Sequence, residues 1–409
     1  METDNLYINN ALDWLKRAVD SLVSHKRTDE GTGFIRSSKQ IIPEQKEGIF
    51  YTATFQAYSA LLESAETYEA GAFGLKEMTL ELTHIFTPDI FGKKDQYSTN
   101  NGSRSIILLE QILKVMVYLQ KYRHTIGEDI INAAKEAIDI ETAKTDILSN
   151  SANDEYYYPE ASRSPWFLLS LLNCQKYIET IYGDANGIIK IPSVDTLIDS
   201  HINYHMARYN VKELSFDPIS LVIALCCKIT RDPGFKTSPF CISCLEAIVK
   251  LQYNDGCWPT GATISFDDSG DVIQQASIQI ASQLAEAIID YKFLVDCNDN
   301  VEQVLDIIIP SFRKLFNYIT ATFEKLDNPC VYGWSSDRIK LKGYTETWIT
   351  AYTCRFLYKY WLAEKAYARI KALKRLGVTN YVYDEQNTIK EIKRWNDEII
   401  EPDHILKPK

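Results

Sequence analysis

Apolar residues recur at spacings of three and four along most of the chain, and long alternating stretches are scarce, so the pattern predicts helix almost throughout. Ala11, Leu12, Leu15, Val19 and Leu22 form one such stripe; Phe55, Tyr58, Leu61 and Leu62 form another. Two kinds of helix alternate. The first is apolar on most faces and follows a polar loop bearing Gly or Pro, as in GIFYTATFQAYSALL, NGSRSIILLEQIL, SRSPWFLLSLLN, FDPISLVIALCC, VIQQASIQIASQLAEAI and YTETWITAYTCRFL. Taking Thr52, Ser105, Ser164, Pro218, Ser277 and Thr347 as anchors, the successive intervals are 53, 59, 54, 59 and 70 residues. The second kind carries a single apolar stripe, at about 11–23, 75–86, 128–138, 193–206, 239–251 and 301–323.

A helix that is apolar all round must be buried, whereas one with a single stripe lies outside. Six inner helices alternating with six outer ones predict an all-α fold, an (α/α)6 toroid. All inner helices then run the same way, and the loops that precede them gather at one rim of a central cavity. The toroid is expected to occupy residues 1–376. Residues 377–409 form a C-terminal extension packed on or beside it, with a strand near 381–383 and a final helix.

Composition narrows the function. The chain has 409 residues, 45% hydrophobic, with ample material for a core. A net charge of −11 speaks against a nucleic-acid partner, which needs a surplus of Lys and Arg on some face. The first residues lack a basic stretch followed by an apolar run, so no secretory signal is expected. No window approaches the roughly 18 apolar residues of a membrane span. Cys226, Cys227 and Cys354 sit in apolar helical runs, which fits buried reduced thiols and a cytoplasmic location.

Two segments carry a family likeness. LQYNDGCWPTG, at 251–261, resembles the Q-x-x-D-G-x-W motif of terpenoid-cyclase and protein-prenyltransferase toroids. GWSSDRIKLKGYTETWITAYTCRFLYKY, at 333–360, resembles the squalene-cyclase repeat of the same superfamily, a Gly-Trp loop before a helix opening with [ST]-x-W-x-T-A. The resemblance implies that Gln252, Asp255, Gly256 and Trp258 are structural, tying an outer helix to the next loop. It implies no activity, because the D-x-D-D acid, the zinc-binding Asp, Cys and His, and the Trp-Cys-His-Gly string have no counterpart in the chain.

Candidate chemistry clusters at the expected rim. Asp337, Arg338 and Glu346 are the candidate catalytic groups: an acid–cation pair beside a turn Gly, and a carboxylate opening the last inner helix. Trp334, Trp348, Tyr51, Glu47, Arg163, Trp166 and Asp217 are candidate ligand-binding residues, since aromatic faces stack on a sugar or steady a cation. Helix capping also accounts for Asp217 and Glu346, and core packing for the aromatics. Asp267, Asp268 and Asp271 form D-D-x-x-D, whose hard carboxylate oxygens suit magnesium, although Gly270 reads as a solvated turn. His201 and His205 stand at i and i+4, a zinc spacing on a face that should be an outer one.

Two functions follow. In the first, the toroid binds a small or extended ligand, including a peptide, in its cavity and processes an isoprenoid or a carbohydrate with rim acids. In the second it is a non-catalytic partner- or peptide-binding module of a larger assembly. There the basic stretch Lys365, Arg369, Lys371, Lys374 and Arg375 would meet an acidic protein partner.

Overall fold

Helix α1 (Glu2–Ser24) lies against the outside of the last helix, α12 (Thr347–Arg375), and between them the chain lays down five outer–inner pairs. In the computed structural model the described residues are 2–27, 33–34, 37–39, 51–65, 75–92, 103–122, 125–143, 165–182, 194–210, 218–258, 265–266, 272–273, 277–290, 293–294, 299–327, 330–335, 344–375, 378–383, 389–394 and 399–400. Among them the inner helices are α2 (Tyr51–Ser64), α4 (Ser103–Lys121), α6 (Pro165–Tyr182), α8 (Pro218–Arg231), α10 (Ser277–Ile288) and α12. The outer ones are α1, α3 (Leu75–Ile85), α5 (Glu128–Ala143), α7 (Val194–Asn210), α9 (Pro239–Lys250) and α11 (Asp299–Ala321).

The inner helices touch in ring order: α2 with α4, α4 with α6, α6 with α8, α8 with α10, α10 with α12, and α12 back with α2. The ring is closed, and the chain is an all-α (α/α)6 toroid. Its helix starts follow local chemistry. Pro opens α6, α8 and α9, where its missing N–H is no loss. Ser238 caps α9 by accepting the Cys241 N–H at 3.2 Å. In α8 every residue from Pro218 to Cys227 is buried, as an inner helix requires.

Short strands trim the helices. The pair Ser37–Lys39 and Tyr344–Glu346 joins the first connection to the entry of α12. His25, at the end of α1, meets Thr345 Oγ1 at 3.0 Å through Nε2 and the Ser21 carbonyl at 3.0 Å through Nδ1. These contacts fasten the two ends of the ring. Beyond α12 the expected final helix is absent from the described residues. Val378–Tyr383, which contains the strand expected near 381–383, forms a three-stranded antiparallel sheet with Ile389–Arg394 and Ile399–Ile400. Cross-strand pairing has overridden a helix-compatible local pattern.

Candidate functional site

The two family-like motifs are braces. Trp258 is buried; its Nε1 donates to the Ile248 carbonyl in α9 at 2.9 Å, and its backbone N–H donates to Ser277 Oγ, at the start of α10, at 3.0 Å. Gln252 donates from Nε2 to the carbonyls of Gly256 at 2.9 Å and Ser311 at 3.1 Å, so it ties α9 to α11. Gly256 has φ 97°, and a Cβ there would lie 2.5 Å from the Lys314 carbonyl oxygen. Only glycine meets both conditions.

Trp334 repeats the arrangement. It is fully buried, donates from Nε1 to the Ile319 carbonyl of α11 at 2.8 Å, and donates from its backbone N–H to Thr350 Oγ1 of α12 at 3.3 Å. Its ring packs against Trp14 and Phe323. Glu346, also buried, donates its backbone N–H to the Trp334 carbonyl at 2.9 Å, and its Oε1 accepts the Trp348 Nε1–H at 2.9 Å. Trp348 is half-buried and meets Tyr352 edge-on, and Tyr51 packs against the core. The structure therefore brings Trp334, Glu346 and Trp348 together at the entry of α12, and Tyr51 opens α2. Glu47, Arg163, Asp217, Asp267, Asp268, Asp271, Asp337 and Arg338 lie outside the described residues, as does the side chain of Trp166. Among the described residues no group of three His, Cys, Asp or Glu could hold a metal ion. His205 is buried, and burial, with His201 and Arg208 beside it, lowers its pKa to about 3.

The axis of the ring holds a charged network that the apolar look of the inner helices conceals. Lys114 of α4 sits 3.2 Å from Glu63 of α2 and 3.1 Å from Glu286 of α10. Lys359 of α12 reaches Glu63 at 3.2 Å. Arg355 of α12, fully buried, pairs with Glu286 at 3.6 Å and donates to Gln111 Oε1 at 2.5 Å, to the Gln56 carbonyl at 3.3 Å and to Ser59 Oγ. Glu110 of α4 accepts from Ser170 Oγ at 2.6 Å and from Asn173 Nδ2 at 2.8 Å, both on α6. Burial raises the Glu110 carboxyl pKa, against these two hydrogen bonds and Lys114. Burial acts on Glu63 in the same direction, but Lys114, Lys359 and Arg355 outweigh it and hold that carboxyl well below the usual range.

Beside this network opens a cavity of about 330 Å3, lined by α6, by the C-terminal halves of α8 and α10, and by Pro233 and Asp290 just beyond them. It lies at the opposite ends of α8 and α10 from the rim where the sequence places the candidate acids. Asn173, Lys176, Tyr177, Gln283 and Glu286 give its wall a polar character. The missed residues, Glu63, Glu110, Lys114, Lys176, Glu286, Arg355 and Lys359, did leave a signal. Each is a charge embedded in an otherwise apolar helix, and Glu110/Lys114 and Arg355/Lys359 are i,i+4 pairs on one face.

The basic end of α12 is occupied within the chain. Lys371 pairs with Glu302 and Asp306 of α11, each at 3.0 Å, and Lys374 pairs with Glu302. Arg369 donates to the Leu294 carbonyl, and Lys365 lies over the Trp361 ring. No helix of the described residues is long and apolar enough to cross a membrane.

No protein-family model and no curated protein matches the chain. Among solved structures the chain is similar to the following one. That structure is an inactive variant of an alpha-1,6-mannanase of Salegentibacter sp. HEL1_6 in complex with alpha-1,6-mannotetrose. The two are 10% identical, and the match covers 86% of this chain and 99% of that one with a TM-score of 0.48.

Proposed function

We propose that the toroid binds a polar, hydroxyl-rich small molecule of carbohydrate type in the cavity beside its axial network, and that the network supplies acid–base groups to it. One observation carries this reading: α2, α4, α6, α10 and α12 each send a charged side chain to the centre of the ring or its cavity wall. Hydrocarbon laid against such a wall would leave charges and amides desolvated without partners, which is costly. A polyol replaces water hydroxyl for hydroxyl. The polar wall therefore favours a carbohydrate over an isoprenoid. Glu286, flanked by Lys114 and Arg355, is the network's acid on the cavity wall, and Glu110, whose burial favours the protonated carboxyl, stands behind it, linked to the wall through Asn173.

The terpenoid-cyclase-like motifs fit this reading as shared scaffold. Gln252, Gly256, Trp258 and Trp334 all brace helices, and the side-chain N–H donors of Gln252 and the two tryptophans are used in doing so. We place the protein in the cytoplasm, where buried thiols such as Cys226, Cys227 and Cys354 stay reduced.

A thermal-shift panel tests the function. Neutral and charged mono- and oligosaccharides should raise the Tm, isoprenoid diphosphates should not, and Glu286→Gln should weaken the response. Stabilisation by isoprenoids alone would overturn it. The same panel with and without magnesium tests whether Asp267, Asp268 and Asp271 recruit that ion.

A further inference from the structure

The charges on the cavity wall do not balance locally. Glu286 is engaged by Lys114 at 3.1 Å and Arg355 at 3.6 Å. Asp290 is engaged by Lys236 at 2.6 Å and by the Phe293 N–H at 2.8 Å. Glu179 accepts from Gln175 at 3.0 Å, and Arg231 points away to Asp195 of α7 at 3.1 Å. Lys176 differs from all of these. It lines the cavity from α6 and is open to it, yet makes no ion pair or side-chain hydrogen bond among the described residues. Every lining carboxylate thus has a partner, and the uncommitted charge facing the space is a cation.

We infer that Lys176 is the recognition point for an anionic group, a carboxylate or a phosphate, carried by the small polyol that the cavity binds. The inference rests on the carbohydrate reading above and adds the charge of the ligand. Desolvation lowers the Lys176 pKa, with Asp290 opposing and Lys359, Lys114 and Lys236 reinforcing the shift, and an arriving anion acts in the opposite direction, favouring the charged ammonium. A bound anion would also meet the amides of Asn173 and Gln283, which line the same space. The volume of about 330 Å3 is at the lower end for ligand sites and matches a small sugar rather than a long chain.

The test is calorimetric titration of the full chain with four probes: glucose, glucuronate, glucose 6-phosphate and inorganic phosphate. Each is run on the wild type, Lys176→Met and Lys176→Arg, with folding checked by circular dichroism. Glucuronate or glucose 6-phosphate should bind more tightly than glucose. Lys176→Met should weaken the charged sugar by about 10- to 100-fold, the loss of one charge-assisted contact, and weaken glucose less, so that the preference disappears, whereas Lys176→Arg should keep it. Which charged sugar responds identifies the source of the anion. Equal binding of glucose and the charged sugars, or a preference that survives in Lys176→Met, overturns the inference and leaves the carbohydrate reading standing. Phosphate binding that depends on Lys176 without any sugar binding keeps the anion site and removes the carbohydrate reading. Silence from all four probes removes both.

Discussion

Trp258 and Trp334 occupy equivalent places in successive outer–inner pairs. Each donates its indole N–H back to the last turns of the preceding outer helix, and its backbone N–H forward to a hydroxyl in the next inner helix. The equivalence makes a quantitative prediction. Trp258→Phe and Trp334→Phe retain most of the packing and leave a buried carbonyl unsatisfied, so each should cost about 1–3 kcal/mol in urea unfolding. The two losses should agree within about 1 kcal/mol; a null result at either position would deny that the brace is a repeat.

Gly256→Ala combines a left-handed backbone with a Cβ placed 2.5 Å from the Lys314 carbonyl oxygen. A destabilisation of about 2 kcal/mol or more is expected, read from the denaturation midpoint. Gly92→Ala is the control, because a Cβ there meets nothing within 4 Å.

Arg355→Met should be among the most disruptive single changes, at about 3–5 kcal/mol, because it removes a buried cation from Glu286 and leaves Gln111 Oε1 and the Gln56 carbonyl without their donor, while Lys114 stays behind among the charges. Lys374→Ala removes an exposed cation from Glu302, which keeps Lys371, and should cost less than about 1 kcal/mol. Similar losses for both would show that the axial charges are solvated and not enclosed.

The seam at His25 is pH-sensitive. Burial is the main cause of its lowered pKa, about 4 against 6.5 when unfolded, and Arg27 adds to it. The unfolded chain therefore binds the extra proton first, so the stability tied to neutral His25 is intact above about pH 6.5 and is lost as the pH falls towards 4. The loss is on the order of 3 kcal/mol. His25→Gln should flatten that part of the stability–pH curve; an unchanged slope would place the titration elsewhere.

The bidentate pair of Arg313 Nε and Nη2 with Glu364, at 2.7 and 2.8 Å, joins α11 to α12 beneath Tyr7 of α1. Glu364→Gln should cost several times more than Lys371→Ala, since Glu364 is buried and Lys371 is half-exposed. Melting temperatures of the two variants compare them directly.

Much of the architecture was legible in the chain. The anchors Thr52, Ser105, Ser164, Pro218, Ser277 and Thr347 fall within two residues of the observed inner-helix starts. They did so because burial on all sides demands an apolar sequence, and loops demand Gly, Pro and polar caps. The bracing role of Gln252, Gly256 and Trp258 was legible through the motif's resemblance, although their partners Ser311, Lys314 and Ser277 were not. The charged axis was not. Glu63, Lys114 and Arg355 lie far apart in sequence, and in a helical pattern each reads as one polar interruption of a greasy face. Of the strands after α12, the one near 381–383 was legible; Ile389–Arg394 was not, for a related reason, because it takes its conformation from Val378–Tyr383 beside it.

By itself, then, the sequence determined the alternation of buried and half-buried helices, and with it the toroid, because solvent exposure is written into every turn of a helix. Only the tertiary structure decided which charges share the centre, since closing a ring brings together side chains from five helices that no sequence spacing relates. It also left Lys176 facing the cavity while the carboxylates around it took other partners, a balance that exists only once those helices are packed.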